Sequence, residues 1–168
     1  MARRSRSLAR RARPLVIWAE VRVLLQRVTR AEVRAGAEVL GSIGAGLVVF
    51  VGVGLDDDAA TAGALARRVA ELRIFADAEG RTNRSLLDAQ GAALVVSQFT
   101  LYADTRRGRR PGFTEAALPA LAVPVYERFC DALADAGVPV ARGRFGAEMV
   151  VELANDGPFT IWLDTADR

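Results

Sequence analysis

The motif Ser97-Gln98-Phe99-Thr100 holds the clearest candidates for covalent chemistry, because two hydroxyl groups follow a predicted buried strand. A hydroxyl is a weak nucleophile until an adjacent base removes its proton. The chain has no His, and all 23 of its Lys and Arg residues are Arg, which excludes histidine-dependent triads and dyads and lysine Schiff bases. No base lies within the motif. A catalytic hydroxyl and a strand-end turn held by local side-chain hydrogen bonds both stay open.

A second candidate is the basic segment Arg106-Arg-Gly-Arg-Arg-Pro111, in which Gly108 and Pro111 disfavour regular structure. Guanidinium groups match phosphate oxygens in a bidentate geometry. The segment is therefore a candidate phosphate clamp, and its four cations are Arg106, Arg107, Arg109 and Arg110. A solvated surface loop is the alternative.

A third candidate is Asn155-Asp-Gly-Pro-Phe-Thr160, which separates two apolar strands and could be a simple turn. A cis peptide bond before proline lies only about 0.5–1 kcal/mol above the trans form. A cis bond between Gly157 and Pro158 would point two neighbouring carbonyl groups in one direction, which is useful for steric selection.

Two further motifs have structural interpretations. A strand, not a helix, is predicted to follow the glycine-rich Gly41-Ser-Ile-Gly-Ala-Gly46, so a turn is favoured over a phosphate loop. Cys130 shares a helix face with Phe129 and Leu133, as a small core side chain would. A single Cys excludes an internal disulfide and a multi-cysteine zinc site, so we expect neither a metal nor a cofactor.

Length and composition fit one folded domain, because the chain has 168 residues, of which 51% are hydrophobic and 26% charged. No apolar run is long enough for a membrane-spanning helix. The net charge of +3 divides unequally, since residues 1–20 carry six Arg against Glu20 and the remainder carries 17 Arg against 19 acids. A nucleic acid that binds residues 21–168 must therefore contact a local Arg cluster there, not a generally basic surface.

Residues 1–20 form an Arg-rich leader ahead of a domain at 21–168. Low acid content allows a transit-like peptide or a basic RNA-binding arm. The favoured interpretation is a disordered extension or a start site assigned too early, with the functional chain beginning near Val21.

Hydrophobic periodicity predicts an α/β fold, a mixed, strand-rich sheet or part-barrel with two packed helices. Asp56-Asp-Asp58 predicts the start of the first helix, which carries Leu65, Val69, Leu72 and Ala76, and the second helix is expected at about 123–136. A polar loop is expected at 77–83. The predicted strands are 21–28, 31–35, 38–43, 47–53, 92–96, 138–142, 148–153 and 159–163.

From Val21 to about Thr165 the chain resembles the D-aminoacyl-tRNA deacylases, also called D-tyrosyl-tRNA deacylases. The motifs that carry the resemblance are Val21-Arg-Val-Leu-Leu-Gln-Arg-Val-Thr-Arg30, Leu72-Arg-Ile-Phe75, Ser97-Gln-Phe-Thr-Leu-Tyr-Ala103, Gly108-Arg-Arg-Pro111, Gly143-Arg-Phe-Gly-Ala-Glu-Met149 and Asn155-Asp-Gly-Pro-Phe-Thr160. Two departures are the leader and Phe159, which stands where smaller residues are usual and is expected to alter pocket packing.

The resemblance implies a homodimer of barrel-like subunits with the site at the dimer interface. It assigns one wall and its backbone donors to Ser97, Gln98, Phe99 and Thr100. A cis Gly157-Pro158 peptide enters the partner's pocket and obstructs an L-aminoacyl side chain, and Arg27 holds that loop. Substrate-binding positions implied in the same way are Phe145, Met149, Asn155 and Thr160, the first two around the terminal adenosine.

The implied activity is hydrolysis of the ester of D-aminoacyl-tRNA, and of glycine mischarged on tRNA, as a chirality proofreading step of translation in the cytoplasm. The partners are aminoacyl-tRNA and a second copy of the chain, with no DNA and no membrane. The ribose 2′-hydroxyl and backbone groups, not a Thr100 nucleophile, perform the chemistry in this family. The competing hypotheses are a non-catalytic RNA-binding module and a conventional Ser or Thr hydrolase.

Overall fold

Two long antiparallel strands organise the computed structural model, which describes residues 20–166. They are β1 (Arg22–Ala35) and β8 (Val150–Asp164). Each was expected as two shorter strands, and that prediction is wrong. In β1 the ladder with β8 continues past two irregularities in register, so exposed Thr29 and Arg30 do not end the strand. The predicted extension at residues 1–20 lies, except for Glu20, outside the described residues.

The main sheet is mixed and nearly closes on itself. It also contains β2 (Glu38–Ile43), β3 (Gly46–Gly52), β6 (Ala92–Ser97) and β7 (Val140–Arg142). Its order is β2-β1-β3-β6-β7, with β8 on β1; β1 pairs antiparallel with β2, β3 and β8, while the β3–β6 and β6–β7 pairs are parallel. The two ends of this order nearly meet, because a Cβ on Gly41 of β2 would lie 3.1 Å from the Cβ of Ala141 in β7.

The first helix, α1 (Ala59–Glu71), begins as predicted, since the side chain of Asp58 accepts a hydrogen bond from the backbone N–H of Thr61 at 2.7 Å. It ends before Leu72 and Ala76, which were expected to continue it. Instead β4 (Phe75–Ala76) pairs with β5 (Thr82–Arg84) in a small hairpin. The polar loop expected at 77–83 connects these two strands, and its last two residues belong to β5.

The second helix, α2 (Pro119–Asp135), starts four residues earlier than predicted, with proline at its first position. Proline fits there because the N–H that it lacks has no partner within the first turn. Pro124 lies inside the helix. Gly137, with φ +98°, follows the helix end as expected.

The sheet buries both of its faces, which explains the continuous apolar run of β3. One face packs on α1 and α2, where Val23 and Leu25 join Val69 and Phe129 in one cluster. The opposite face encloses a second cluster of buried residues, namely Val28, Ala31, Val33, Val48, Leu94 and Val96. Cys130 is fully buried in the first cluster, as predicted, and burial raises the pKa of its thiol to about 11.

None of the helices within residues 20–166 is long and apolar enough to cross a membrane. The predicted α/β class, a strand-rich mixed sheet with two packed helices, is confirmed. Its geometry places the carboxyl end of β6 and the segment between β7 and β8 on the same side of the sheet, where a cavity lies.

Candidate active site

A cavity of about 340 Å³ lies at the carboxyl end of β6. Ser97, Gln98 and Phe99 line it from the strand end, and Phe145 and Met149 line it from the segment that precedes β8. The structure therefore brings together five site residues that are separated by almost fifty positions in the sequence. Among the described lining residues, Glu148 is the one with a charged side chain. Neither Glu148 nor the neighbouring Tyr126 was identified from the sequence.

The apolar wall of the cavity is built on local contacts. The rings of Tyr126 and Phe145 lie 6.1 Å apart between centroids, and the Tyr126 hydroxyl donates to the Val95 carbonyl at 2.9 Å. The Sδ atom of Met149 accepts a hydrogen bond from the backbone N–H of Arg144 at 3.3 Å. A Cβ on Gly143 would come within 2.8 Å of that sulfur, so glycine there leaves room for Met149.

The strand end turns into a single 3₁₀ turn over Phe99–Tyr102. The backbone N–H of Gln98 donates to the Val51 carbonyl at 2.7 Å, which fixes the start of the turn to β3. The first N–H groups of a helical turn have no partner within the turn. The amides of Phe99 and Thr100 occupy these first positions beside the cavity and can serve as donors to a negatively charged oxygen.

The Thr100 side chain is exposed and is not among the cavity-lining residues. Its hydroxyl oxygen accepts a hydrogen bond from the side-chain amide of Gln98. An amide donor does not withdraw a proton from a hydroxyl, so this contact does not activate Thr100 as a nucleophile. It connects Gln98, the residue before the turn, with Thr100, the second residue of the turn.

A buried polar cluster supports the turn from behind. The Tyr102 hydroxyl donates to the Glu20 carbonyl and lies 3.4 Å from Oδ2 of Asp57, and burial raises the pKa of Tyr102. The Arg22 guanidinium lies 4.2 Å from the centroid of the Tyr102 ring and donates to the Leu101 carbonyl at 3.3 Å. The cluster therefore fixes the last two residues of the turn to β1.

Asp57 is the buried carboxylate of this cluster, with 4% of its surface exposed. Its Oδ2 atom accepts a hydrogen bond from the backbone N–H of Gly54 at 2.6 Å, and its Oδ1 atom is buried without a partner among the described residues. Burial raises the pKa of Asp57 above its ordinary value, because a charged carboxylate loses hydration there. The sequence pattern Asp56-Asp-Asp58 suggested helix capping alone.

The Gly157-Pro158 pair lies in a loop that interrupts the pairing of β8 with β1. Asn155 is opposite Val28 and Thr160 is opposite Gln26, so residues 156–159 face the single residue Arg27. Four residues opposite one must leave the ladder, and Gly157 and Pro158 are exposed. The peptide bond between them is cis.

Side chains close the base of this loop. The amide of Asn155 donates to the carbonyls of Arg27 at 2.9 Å and of Phe159 at 3.2 Å. The Thr160 hydroxyl accepts from the Gln26 amide at 3.1 Å. Neither Asn155 nor Thr160 lines the cavity of its own chain, and the same holds for Gly157 and Pro158.

Arg27 joins the loop to the rest of the fold, and only 12% of its side chain is exposed. Its guanidinium donates to the carbonyls of Asp156 and Gly157, each at 3.2 Å, and to the Ile74 carbonyl at 2.5 Å. The Asp156 carboxylate lies 2.8 Å from Nε of Arg27. These contacts tie the loop to β1 and to the segment that follows α1.

The four Arg of the basic segment are exposed but are not equivalent. Two backbone hydrogen bonds between Asp104 and Gly112, of 2.8 and 2.9 Å, close the base of the segment. The Arg106 guanidinium makes two contacts of 2.8 Å with the Asp104 carboxylate, which holds the pKa of that carboxyl far below its usual range. Arg107, Arg109 and Arg110 have no ion pair within the described part of the chain.

No group of three or more His, Cys, Asp or Glu side chains within residues 20–166 could hold a metal ion. The arrangement instead offers an apolar cavity, main-chain donors at the strand end and a projecting loop held by Arg27. Such a site suits chemistry in which the protein supplies hydrogen-bond donors and shape.

The comparisons with known proteins assign the family. The model of D-Tyr-tRNA(Tyr) deacylase matches residues 24–164. The chain is 58% identical over 146 residues to a D-aminoacyl-tRNA deacylase of Roseiflexus sp. (strain RS-1), covering 87% of this chain and 94% of that protein. It is also 58% identical over 147 residues to the D-aminoacyl-tRNA deacylase of Thermomicrobium roseum, covering 88% and 96%. The chain belongs to the D-Tyr-tRNA(Tyr) deacylase family, whose members are enzymes that hydrolyse the ester bond of D-aminoacyl-tRNA.

Solved structures agree with the fold. A protein described as c-Myc DNA Unwinding Element Binding Protein is 37% identical, with a TM-score of 0.79, and the match covers 84% of this chain and 97% of that one. A probable eukaryotic D-amino acid tRNA deacylase is 19% identical, with a TM-score of 0.73 and coverage of 86% and 99%, a likeness that concerns the fold alone.

Replacing Asp57 with Asn should change how the free energy of unfolding depends on pH. Because its pKa is raised in the folded chain, Asp57 favours folding less as pH rises through the interval above its ordinary value of 3.8. Asn does not titrate, so the unfolding free energy of Asp57→Asn minus that of the native chain should increase with pH there, by up to about 1.4 kcal/mol per pH unit. Denaturant titrations at closely spaced pH values measure this difference.

The matched control is Asp58→Asn, because hydrogen bonds at the helix start lower the pKa of Asp58. Its stabilising contribution is present above 3.8 and is lost as pH falls, so its difference from the native chain should become more negative with rising pH. Parallel pH profiles for Asp57→Asn and the native chain would contradict the assignment.

Proposed function

We propose that the cavity at the end of β6 binds the 3′ end of D-aminoacyl-tRNA and hydrolyses its ester to free D-amino acid and tRNA. Glycine mischarged on tRNA is hydrolysed at the same site, and L-aminoacyl-tRNA is rejected. The observation that supports this most directly is the juxtaposition of the first amides of the Phe99–Tyr102 turn with an apolar cavity that contains Phe145 and Met149. These two side chains offer an apolar surface to the terminal adenosine.

The chemistry needs no side-chain nucleophile, because an aminoacyl ester is already activated. Water adds to the ester carbonyl, the backbone amides stabilise the resulting oxyanion, and the bond between the carbonyl carbon and the ribose oxygen breaks. The attacking water gives up a proton, which the neighbouring ribose 2′-hydroxyl relays to the departing oxygen. One well-placed donor to an oxyanion contributes about 2.7–4 kcal/mol in another hydrolase. Ser97 to Thr100 thus act mainly through their main chain.

Chiral selection is assigned to the Gly157-Pro158 loop of a second subunit in a homodimer. Three observations support this. The loop projects from the strand pair, its residues do not line the cavity of their own chain, and Arg27 fixes the carbonyls of Asp156 and Gly157. A fixed carbonyl beside the substrate Cα excludes the side chain of an L-amino acid and admits the hydrogen of a D-amino acid or glycine. Asn155 and Thr160 contribute by holding the ends of the loop.

Binding of the tRNA backbone is assigned to the basic segment, and chiefly to Arg107, Arg109 and Arg110, whose charges are not neutralised within the described chain. Contacts to phosphates give affinity without base specificity, so one site can serve many tRNAs. Proofreading of aminoacyl-tRNA during translation takes place in the cytoplasm, and neither DNA nor a membrane has a role in it.

Paired substrates that differ only in chirality test the function. D-tyrosyl-tRNA should be hydrolysed at least a hundredfold faster than L-tyrosyl-tRNA, because a rigid steric obstruction costs the L-isomer about 3 kcal/mol or more, and each 1.4 kcal/mol is a factor of ten. Loss of the ester bond is followed over time at matched concentrations. An intact D-ester after excess protein would favour a non-catalytic RNA-binding module. A monomer in solution with full activity and selectivity would contradict the cross-subunit arrangement.

Substitution of Thr100 separates the two mechanisms. Under the main-chain mechanism Thr100→Ala should keep kcat for D-tyrosyl-tRNA within about tenfold of the native value, because the backbone donors remain. A nucleophilic hydroxyl predicts a loss of about 10⁴-fold or more, as when a triad serine is removed. Single-turnover rates measure the difference. Thr100→Ser is the matched control, since it keeps the hydroxyl in either case.

Salt dependence of tRNA binding tests the basic segment. The triple variant Arg107→Ala, Arg109→Ala, Arg110→Ala should bind more weakly and reduce the slope of log affinity against log salt by on the order of 2–3, since each phosphate contact contributes about 0.7–0.9. Arg106→Ala is the matched control and should change the slope by less than about 1, because Asp104 already neutralises that guanidinium. Equal slopes for the triple variant and the native chain would show that the segment is a solvated surface loop with no role in tRNA binding.

A further inference from the structure

We infer that Phe159 is a positioning residue for chiral selection, because its aromatic ring holds the Arg27 guanidinium in place against the carbonyls of the Gly157-Pro158 loop. This inference rests on the proposed function of that loop. Phe159 itself has no role there in contact with substrate; its effect passes through Arg27. Position 159 therefore needs an aromatic ring to hold the Arg27 guanidinium, and apolar bulk alone is not sufficient.

The guanidinium of Arg27 is enclosed by two kinds of contact. In its plane it donates to the carbonyls of Ile74, Asp156 and Gly157. Its Cζ atom also lies over two aromatic rings, 4.4 Å from the centroid of Phe159 and 6.0 Å from that of Phe75. The planar guanidinium is weakly hydrated above and below its plane, which makes an aromatic face a favourable neighbour. The closer ring belongs to the loop itself.

The backbone around Phe159 is held by hydrogen bonds, and its side chain is held by packing. The Phe159 carbonyl accepts a hydrogen bond from the Asn155 amide at 3.2 Å, and the same amide donates to the Arg27 carbonyl at 2.9 Å. Phe159 is partly buried and packs against the cluster between the sheet and the helices. Asn155 therefore links the backbone of Phe159 to the backbone of Arg27, which holds the two residues next to each other.

This stack can affect selection without acting on the hydrolytic groups. The turn that offers the backbone donors lies at the end of β6, whereas Arg27 and Phe159 lie on β1 and β8. The loop carbonyls can exclude an L-side chain only while they stay in one place. A guanidinium that is free to tilt makes weaker bonds to the Asp156 and Gly157 carbonyls, so the loop gains freedom and L-aminoacyl-tRNA gains access.

The decisive pair of variants is Phe159→Leu and Phe159→Tyr. Leucine keeps apolar bulk but has no aromatic face, and tyrosine keeps the ring. Hydrolysis of D-tyrosyl-tRNA and L-tyrosyl-tRNA is measured for each full-length variant, with kcat and KM resolved. We expect Phe159→Leu to lower the ratio of D to L kcat/KM by about three- to tenfold, mainly through faster hydrolysis of the L-substrate, in line with the strength of a partly buried cation–π contact. Phe159→Tyr should keep the ratio of D to L kcat/KM at its native value.

Two controls make the result specific. Trp162→Leu removes an exposed aromatic side chain from the same strand, 6.0 Å from Arg22, and should leave the ratio at its native value. In an Arg27→Met background both the guanidinium and its positive charge are gone, so Phe159→Leu should add no further loss of selectivity. A merely structural role of Phe159 would instead lower kcat/KM for both substrates in proportion, with the ratio preserved.

The inference is overturned if Phe159→Leu keeps the native ratio of D to L kcat/KM, or if Phe159→Tyr lowers that ratio as much as Phe159→Leu does. It is also overturned if the effects of Phe159→Leu and Arg27→Met add independently. Failure of the proposed function gives a different result, because the native protein would then leave D-tyrosyl-tRNA intact or hydrolyse both isomers equally.

Discussion

The side chain of Arg27 replaces a piece of β-ladder. Where residues 156–159 oppose one residue of β1, the regular exchange of backbone hydrogen bonds stops. The carbonyls of Asp156 and Gly157 then need donors other than a partner in the ladder. One guanidinium supplies them and also binds the Ile74 carbonyl just before the small hairpin. The projecting loop, the hairpin and the first strand thereby share a single point of attachment.

Periodicity in the sequence predicted the buried elements well and their ends less well. The continuous apolar run at 47–53 and the alternation from Val21 to Leu25 match β3 and the first part of β1. Leu72 and Ala76 keep helical spacing with Val69, yet they follow the end of α1 because the chain turns there to form the β4–β5 hairpin. A short window of sequence shows the helical spacing but not the strand pairing that ends the helix. The early start of α2 was readable from Pro119, a residue that suits a first helical position.

The candidate site was predicted unevenly, for a physical reason. The position of two hydroxyl groups after a predicted buried strand identified Ser97 to Thr100. The resemblance supplied Phe145, Met149 and Arg27, because no local rule joins segments so distant in the chain. The sequence did not identify Asp57 and Tyr102 as members of a buried polar cluster. Three consecutive aspartates indicate a helix start, and Asp58 does cap α1, but Asp57 turns inward to Gly54 and Tyr102. The only local indication was that a helix needs one capping carboxylate, whereas this segment has three. The interaction of Phe159 with Arg27 depends on the irregular ladder and has no local signal.

The 3₁₀ turn at Phe99–Tyr102 has an evolutionary consequence. An amide N–H belongs to every residue type except proline, so a wall built from main chain keeps its donors while its side chains drift. Mutation can change the size or polarity of such a wall without removing its hydrogen-bond donors. A lineage can thus explore new substrates at this surface at little risk, and inactivation requires a change that bends the chain.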